Sequence, residues 1–339
     1  MTRRLAVLAV VAAGGLVSAG AAAGAAERSS SARFTVETRN LFVGFDAGVL
    51  LAGAITPAQA WGTLVLSNPA GRAEEWADEI AAARPDVVGL QEVSLIQTGP
   101  LLNPAPATTV AFDYADLLLD ALAARGLSYN VVASVSNLDA EAPVGPPFFF
   151  DARVTDRDML LVRGDKKFGQ VKVLGASSGT YATALPSGPF LVTRGWNAAD
   201  LKHRGRTVRV VNTHLEAFHE GIRFAQAAEL LAGPGGNAGP TILLGDFNSG
   251  PPAPTPTYGL LTSAFTDVWP AVSAAPGLTC CHPDLTPATP FTKRIDLVLV
   301  DGGITPVSAE VIGDTAAATF PFYPSDHGER GRDGEAAVS

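Results

Sequence analysis

The sequence predicts an α/β fold built on mixed β-sheets, and three observations carry that expectation. Short apolar stretches of strand character recur along the chain, at Phe34–Val43, Val87–Leu90, Tyr129–Val135, Met159–Val162, Val208–Asn212, Thr241–Leu244 and Ile295–Val300. Few helices separate them, and several strands follow one another directly, which suits mixed sheets better than a doubly wound parallel one. The strands also end alike, because acids, amides and histidines stand at their exits.

A 339-residue chain that is 47% hydrophobic can bury a large core. No linker-like break in composition divides it, so a single domain is expected over 27–339. The first 26 residues differ. Arg3 and Arg4 precede an apolar run from Leu5 to Val17, and small residues end near Ala25 and Ala26, the layout of a cleavable secretory signal peptide. No apolar segment of spanning length follows Ser29. The mature protein is therefore expected to be secreted, with no transmembrane segment, and monomeric. A formal net charge of −9 disfavours bulk attraction to nucleic acid or anionic lipid and leaves a local basic patch open. The adjacent Cys280 and Cys281 are either two thiols or a vicinal bridge.

Taken in order, Phe34–Val43 reads as the first strand, with Asn40 near its end, and the Gly-rich stretch Asp46–Asn68 as a loop. Arg72–Ala83 has Trp76, Ile80 and Ala83 on one face and Pro85 as a stop, so it reads as a helix. Val87–Leu90 follows as a buried strand ending at Gln91-Glu92, then a Pro/Thr-rich loop. Asp113 is placed to cap a helix from Tyr114 to Arg125, which Gly126 ends. After the Tyr129–Val135 strand, Phe148, Phe149 and Phe150 are either packing residues or a lipid-contacting patch. Strands are also expected around Gly169–Leu174 and Phe190–Trp196, and a helix over Ile222–Leu231. Lys202, His203, Arg204 and Arg206 form a basic cluster that is either a solvated loop or a phosphate contact. Pro251–Pro256 reads as a turn, and the region beyond it carries no clear signal until Arg294.

Strand ends supply Asn40, Glu92, His214, Asp246, Asn248 and Asp296, and Asp326 with His327 follows near the C-terminus. Asp246 and Asn248 lie two apart, so an extended backbone places both on one face. Singly, each is ordinary turn or edge chemistry; together, hard oxygen donors with two histidines and no usable cysteine cluster suit Mg²⁺, with Mn²⁺ or Ca²⁺ as alternatives, better than structural zinc.

The order Arg39-Asn40-Leu41, Gln91-Glu92, Asn212-Thr213-His214-Leu215, Gly245-Asp246-Phe247-Asn248, Arg294-Ile295-Asp296 and Ser325-Asp326-His327 resembles the endonuclease/exonuclease/phosphatase family, the deoxyribonuclease-I-like phosphodiesterases. The resemblance spans nearly the whole mature chain. It implies a four-layer α/β sandwich, two mixed sheets face to face with helices outside, and a divalent-metal site at one end. It further implies a metal-dependent phosphoester hydrolase, with Glu92, Asn40 and Asp326 around the metal. Asp246 would address the attacking water, Asn248 and His214 the phosphate, and His327 would act with Asp296. Asp158 is assigned as the carboxylate partner of His214. The substrate class implied is nucleic acid, a phospholipid headgroup or a small phosphodiester. A catalytically impaired secreted binding module that keeps the fold is the competing expectation.

Two departures bear on that reading. Phe42 stands where some family members place an acid; either Asp46 substitutes for it or the metal relies on Glu92 alone. The residues after His327, Gly328–Glu335, are too polar for the apolar strand the family places there. The tail 328–339 is therefore read either as a natural variant or as the product of a frameshift.

Overall fold

The computed structural model describes residues 9–13, 32–164, 171–188, 190–251, 253, 255–282, 285, 290–316, 323–331 and 337–338. Among them, two mixed sheets, of eleven and six strands, form the body. Strand Ala32–Asn40 runs parallel to Val87–Gln91 in the larger sheet, and the long hairpin Tyr129–Val144/Phe150–Arg163 joins it through antiparallel pairing. In the smaller sheet Arg206–His214 lies parallel to Thr241–Asp246, which pairs antiparallel with Asp296–Asp301.

Side-chain alternation explains how the layers stack. Phe34, Val36, Leu160 and Val162 from the larger sheet pack against Val208, Val210, Ile242, Leu244, Val298 and Val300 from the smaller one. The opposite parity faces outward. Val88, Leu90, Met159 and Leu161 meet Leu64, Trp76, Ile80, Leu118 and Leu122 of the helices Pro57–Leu66, Pro69–Ala83 and Tyr114–Ala124. Val211, Leu243, Leu297 and Leu299 meet Ala227, Leu230 and Leu261 of the helices Glu220–Ala232 and Pro256–Ala264. Four layers result, helix, sheet, sheet, helix.

Several local expectations are corrected. The stretch Asp46–Asn68 is not a loop, for it holds the helices Ala47–Leu51 and Pro57–Leu66. Thr56 and Gln59 close a capping box and Pro57 starts the second helix, a local signal strong enough to overcome the glycines. Asp46 is the N-cap of the first helix, accepting from Val49 N–H. The Pro/Thr-rich segment contains two strands, Leu95–Pro100, paired with Phe150–Arg163, and Thr109–Asp113, which adds to it at the sheet edge. Only Ile96 among their residues is buried, so neither carries the apolar alternation of a core strand. The strand expected over Phe190–Trp196 is divided into Phe190–Val192 and Gly195–His203, and the one expected over Gly169–Leu174 runs Lys172–Thr180.

The polar tail does make a strand. Glu329–Gly331 pairs with Glu310–Ile312 on one side and, through Arg330, with Thr38 on the other. A ladder needs backbone groups, not apolar side chains, so 329–331 pair despite their composition. Farther along the same slot, Ala9–Ala13 pairs antiparallel with Ala32–Asn40 and with Ile304–Ser308. Residues 1–8, 14–31 and 332–336 lie outside the described residues. Phe150 packs edge-on against Trp61, while Phe148 and Phe149 are exposed at the hairpin turn.

Candidate active site

The parity that fills the space between the sheets with aliphatic side chains turns polar at one end. Continuing Phe34 and Val36 gives Thr38 and Asn40; Val208 and Val210 give Asn212 and His214; Ile242 and Leu244 give Asp246; Val300 and Val298 give Asp296. Register sets His214 opposite Asp246 and Asp246 opposite Asp296 on three neighbouring strands. Gly245 permits that spacing, since its φ is 147° and a Cβ there would stand 1.9 Å from the Thr213 carbonyl oxygen. Gln91 Nε2 donates to Asn212 Oδ1 at 2.6 Å, tying the two sheets just behind the site.

Asn40 faces Asp246 across the gap between sheets. Its Nδ2 donates to Asp246 Oδ2 at 3.2 Å and to Glu92 Oε1 at 3.1 Å, and its Oδ1 accepts the Phe42 N–H at 2.9 Å. Strand parity would send Glu92 toward the helices with Val88 and Leu90. Its φ of 55° breaks that parity, and its Oε2 accepts Val43 N–H at 2.8 Å. Its neighbour in the first motif, Arg39, is fully buried and bonded to Glu37 and Glu79, a structural role.

The Ser-Asp-His segment closes the site from the C-terminal side. Ser325 Oγ donates to the Asn40 carbonyl at 2.7 Å and accepts the His327 N–H at 3.1 Å. His327 Nδ1 lies 2.9 and 3.1 Å from the two Asp296 oxygens. Its Nε2 is 3.8 Å from Asp246 Oδ2, while His214 Nε2 is 3.6 Å from the same oxygen. One carboxylate oxygen thus stands between two imidazoles. Asp246 Oδ1 accepts the Asn248 N–H at 2.8 Å, and Asn248, in the left-handed region with φ 48°, spends one amide hydrogen on Leu215 O. Its other amide hydrogen remains available.

Burial and charge set unequal proton affinities here. Burial, helped by the Asp296 charge, pushes Asp246 up to about 7. Asp326 is likewise pushed up to about 7 by burial and by Glu92 and Asp246. Burial alone would depress His327, but Asp296, Asp326 and Asp246 outweigh it and hold the imidazole well above its usual value. His214 goes the other way, depressed by burial and by the cations Arg194 and His327. At neutral pH His327 is charged and His214 neutral.

Arg194 is the residue that sequence reasoning missed. Its Nη1 lies 3.0 Å from His214 Nδ1, so the guanidinium donates there and the imidazole proton resides on Nε2. Asp158, assigned as the partner of His214, stands 4.0 Å from Nδ1, beyond hydrogen-bond reach, with its Oδ2 accepting Asn137 Nδ2 at 2.8 Å. Burial and the adjacent Asp156 raise Asp158 well above the ordinary carboxylate range, which favours its protonated form. The available signal was an arginine entering an apolar strand two residues before Trp196. The basic cluster of Lys202, His203, Arg204 and Arg206 lies around the hairpin turn where His203 pairs with Arg206, at the opposite end of that strand from His214. It is remote from the site.

The donor set fits a hard divalent cation. The Glu92 charge adds to the cost of ionising Asp326, and both are half-buried carboxylates suited to a cation. Phe42 contributes only backbone, bonding Asn40 and lying 5.6 Å beneath the Arg72 guanidinium. Arg72 itself is buried and donates to Leu41 O, Phe42 O and Tyr114 Oη, which shapes the loop carrying these residues.

A sequence profile described as "Endonuclease/Exonuclease/phosphatase family" matches residues 60–327. Among solved structures, the endonuclease/exonuclease/phosphatase from Bacteroides vulgatus superposes with TM-score 0.57 at 16% identity, over 90% of this chain and 98% of that one. Mannosyl-6-phosphatase Bt3783 of Bacteroides thetaiotaomicron VPI-5482 gives 0.55 at 17%, over 88% and 97%. TDP2 from Caenorhabditis elegans gives 0.50 at 17%, over 90% and 74%. At such identities the likeness establishes the fold. The sequence finds no match among curated proteins.

Proposed function

Because the chain belongs to the endonuclease/exonuclease/phosphatase family, we propose that it hydrolyses phosphoester bonds with a divalent cation, and that phosphodiesters are its substrates. The observation that supports this most directly is the convergence of Asn40, Asp246, Asp296, His214 and His327 from both sheets on one polar end of an apolar sandwich.

Glu92 and Asp326, with Asn40 beside them, would hold the cation, Mg²⁺ being the natural choice for oxygen donors. When bound it supplies neutralisation of the phosphate oxygens and of the leaving oxygen. Asp246 Oδ2, set among Asn40, His214 and His327, would address the attacking water, and an affinity near pH 7 suits it to take that water's proton. Neutral His214 presents Nε2–H to a phosphate oxygen, fixed in that tautomer by Arg194. His327, held by Asp296, adds a positive charge opposite His214. Asn248 offers its remaining amide hydrogen to phosphate.

Net charge −9 disfavours long polyanions, so we place small or headgroup phosphodiesters ahead of nucleic acid. Export through the leader is part of the same reading. Hydrolysis of bis(p-nitrophenyl) phosphate and p-nitrophenyl phosphate, with Mg²⁺, Mn²⁺, Ca²⁺ or chelator, tests it. Faster release from the diester, abolished by chelator, is expected. No turnover with any metal would favour a binding module, and monoester preference would overturn the diester assignment.

A further inference from the structure

Beside the phosphoester site, Cys280 and Cys281 are joined as a disulfide and lie against His327. Their placement is fixed by backbone. The segment Thr279–His282 runs alongside 326–328, with Gly328 N–H donating to Thr279 O at 2.7 Å and His282 N–H donating to Asp326 O at 2.8 Å. Those two bonds bracket the Cys280/His327 bridge. On its other side, Cys280 N–H donates to Lys293 O at 3.1 Å, and Thr279 Oγ1 accepts the Asp296 N–H at 3.3 Å. The cysteine pair is thus clamped between the two chain segments that carry Asp296 and His327. Both sulfurs and a ring nitrogen of His327 lie within 4.8 Å of one another. Cys280 is buried, and Cys281 is partly open to solvent.

We propose that reduction of this disulfide creates a second metal site, in which Cys280, Cys281 and His327 bind a thiophilic d¹⁰ cation such as Zn²⁺ or Cd²⁺ and withdraw His327 from catalysis. A dithiol reductant supplies two electrons and two protons, the S–S bond breaks and two thiols form. Metal binding then releases both thiol protons. Two thiolates and an imidazole are soft and borderline donors, unlike the oxygen set at Glu92 and Asp326, so the two sites select different ions. Ligand bonds of about 2.0–2.3 Å require only a modest closing of this group, with water in the fourth position. Asp296 matches the carboxylate that commonly orients a metal-bound histidine. Either nitrogen serves: coordination at Nδ1 displaces the Asp296 bond, and coordination at Nε2 removes the charge that faces Asp246.

The inhibitory consequence rests on the phosphoesterase reading, whereas the metal site does not. Full-length protein, oxidised or reduced with a phosphine reductant, would be titrated with Cd²⁺ alone and followed by its thiolate-to-metal charge-transfer absorption. In the reduced form the charge-transfer band should saturate at one thiolate-bound Cd²⁺ per chain, and the oxidised form should show no band. Cys281→Ser should abolish the absorption while leaving Mg²⁺-supported hydrolysis within about twofold of the parent. His327→Ala should weaken Cd²⁺ binding at least about tenfold. Mg²⁺-supported hydrolysis by the reduced parent should fall at least about tenfold on adding one equivalent of Cd²⁺, and recover on reoxidation with chelator. Absence of the band in reduced parent, or unchanged affinity in His327→Ala, overturns the site. A band without any hydrolysis in either redox state leaves the site standing and overturns the activity reading.

Discussion

Asn40 donates one amide group to Asp246, 206 positions away and in the opposite sheet, at 3.2 Å, and to Glu92 at 3.1 Å. A single carboxamide thereby sets the spacing between the carboxylate assigned to water and the one assigned to the cation. Asn40→Ala removes that link while leaving the apolar core intact. We expect kcat/KM to fall on the order of 100-fold, the scale of losing a positioned polar group, with the fold retained by circular dichroism. Activity within a few fold of the parent would remove Asn40 from the site.

Asp246→Ala and His327→Ala should each reduce kcat by on the order of 100-fold or more. Steady-state kinetics on a phosphodiester check this, with thermal unfolding as a control for stability.

The charge on His327 persists above its usual range because three carboxylates face it, Asp296 foremost. Activity that needs this imidazolium should extend into mildly alkaline pH and then decline. Asp296→Asn takes away the leading contribution, so the imidazolium is lost at lower pH and the basic limb of the kcat/KM profile moves toward acid. An unmoved limb would assign that ionisation to another group.

Arg194, not Asp158, makes the direct contact to His214 Nδ1. Arg194→Gln should lower kcat at least about tenfold by freeing the His214 tautomer. Asp158→Asn, at a carboxyl that stands 4.0 Å from His214 Nδ1, is expected to act mildly; turnover within about twofold of the parent would end its role as a catalytic partner.

Metal-free protein should lose stability as pH rises from about 4 to 7. Asp246 and Asp326 titrate near 7 in the fold and near 3.9 when unfolded. Through that window the folded state therefore binds more protons, and the free energy of unfolding falls with pH. His214 opposes the trend, being protonated only after unfolding. At about 1.4 kcal/mol per pH unit, Asp246 alone contributes on the order of 3 kcal/mol of loss. Mg²⁺ should restore part of it at pH 7, read as a rise in Tm that chelator reverses.

The site was legible because its residues follow directly from strand ends. Thr241–Asp246 and Asp296–Asp301 are continuous apolar runs, and the polar residue at each end inherits the inward parity of the aliphatics behind it. Glu92 is legible as an acid at a strand exit, but parity alone points it the wrong way and a positive φ redirects it. Arg194 was hidden because its role comes from pairing across the Gly195–His203 and Arg206–His214 hairpin, a non-local relation that no spacing in the sequence encodes. The strands Leu95–Pro100 and Thr109–Asp113 lack the apolar alternation that a buried strand shows. The proximity of Cys280 to His327, 47 residues apart, likewise depends on a bridge between two irregular segments.

The central claim is that two sheets assemble a cation-dependent phosphodiesterase site around Asp246. Its most direct test is the rate of bis(p-nitrophenyl) phosphate hydrolysis by oxidised parent and by Asp246→Asn, each with saturating Mg²⁺ and with chelator. Turnover by the parent that chelator abolishes, and that the substitution lowers on the order of 100-fold, is the expected result. Chelator-resistant turnover, or equal rates in the two proteins, would contradict the account.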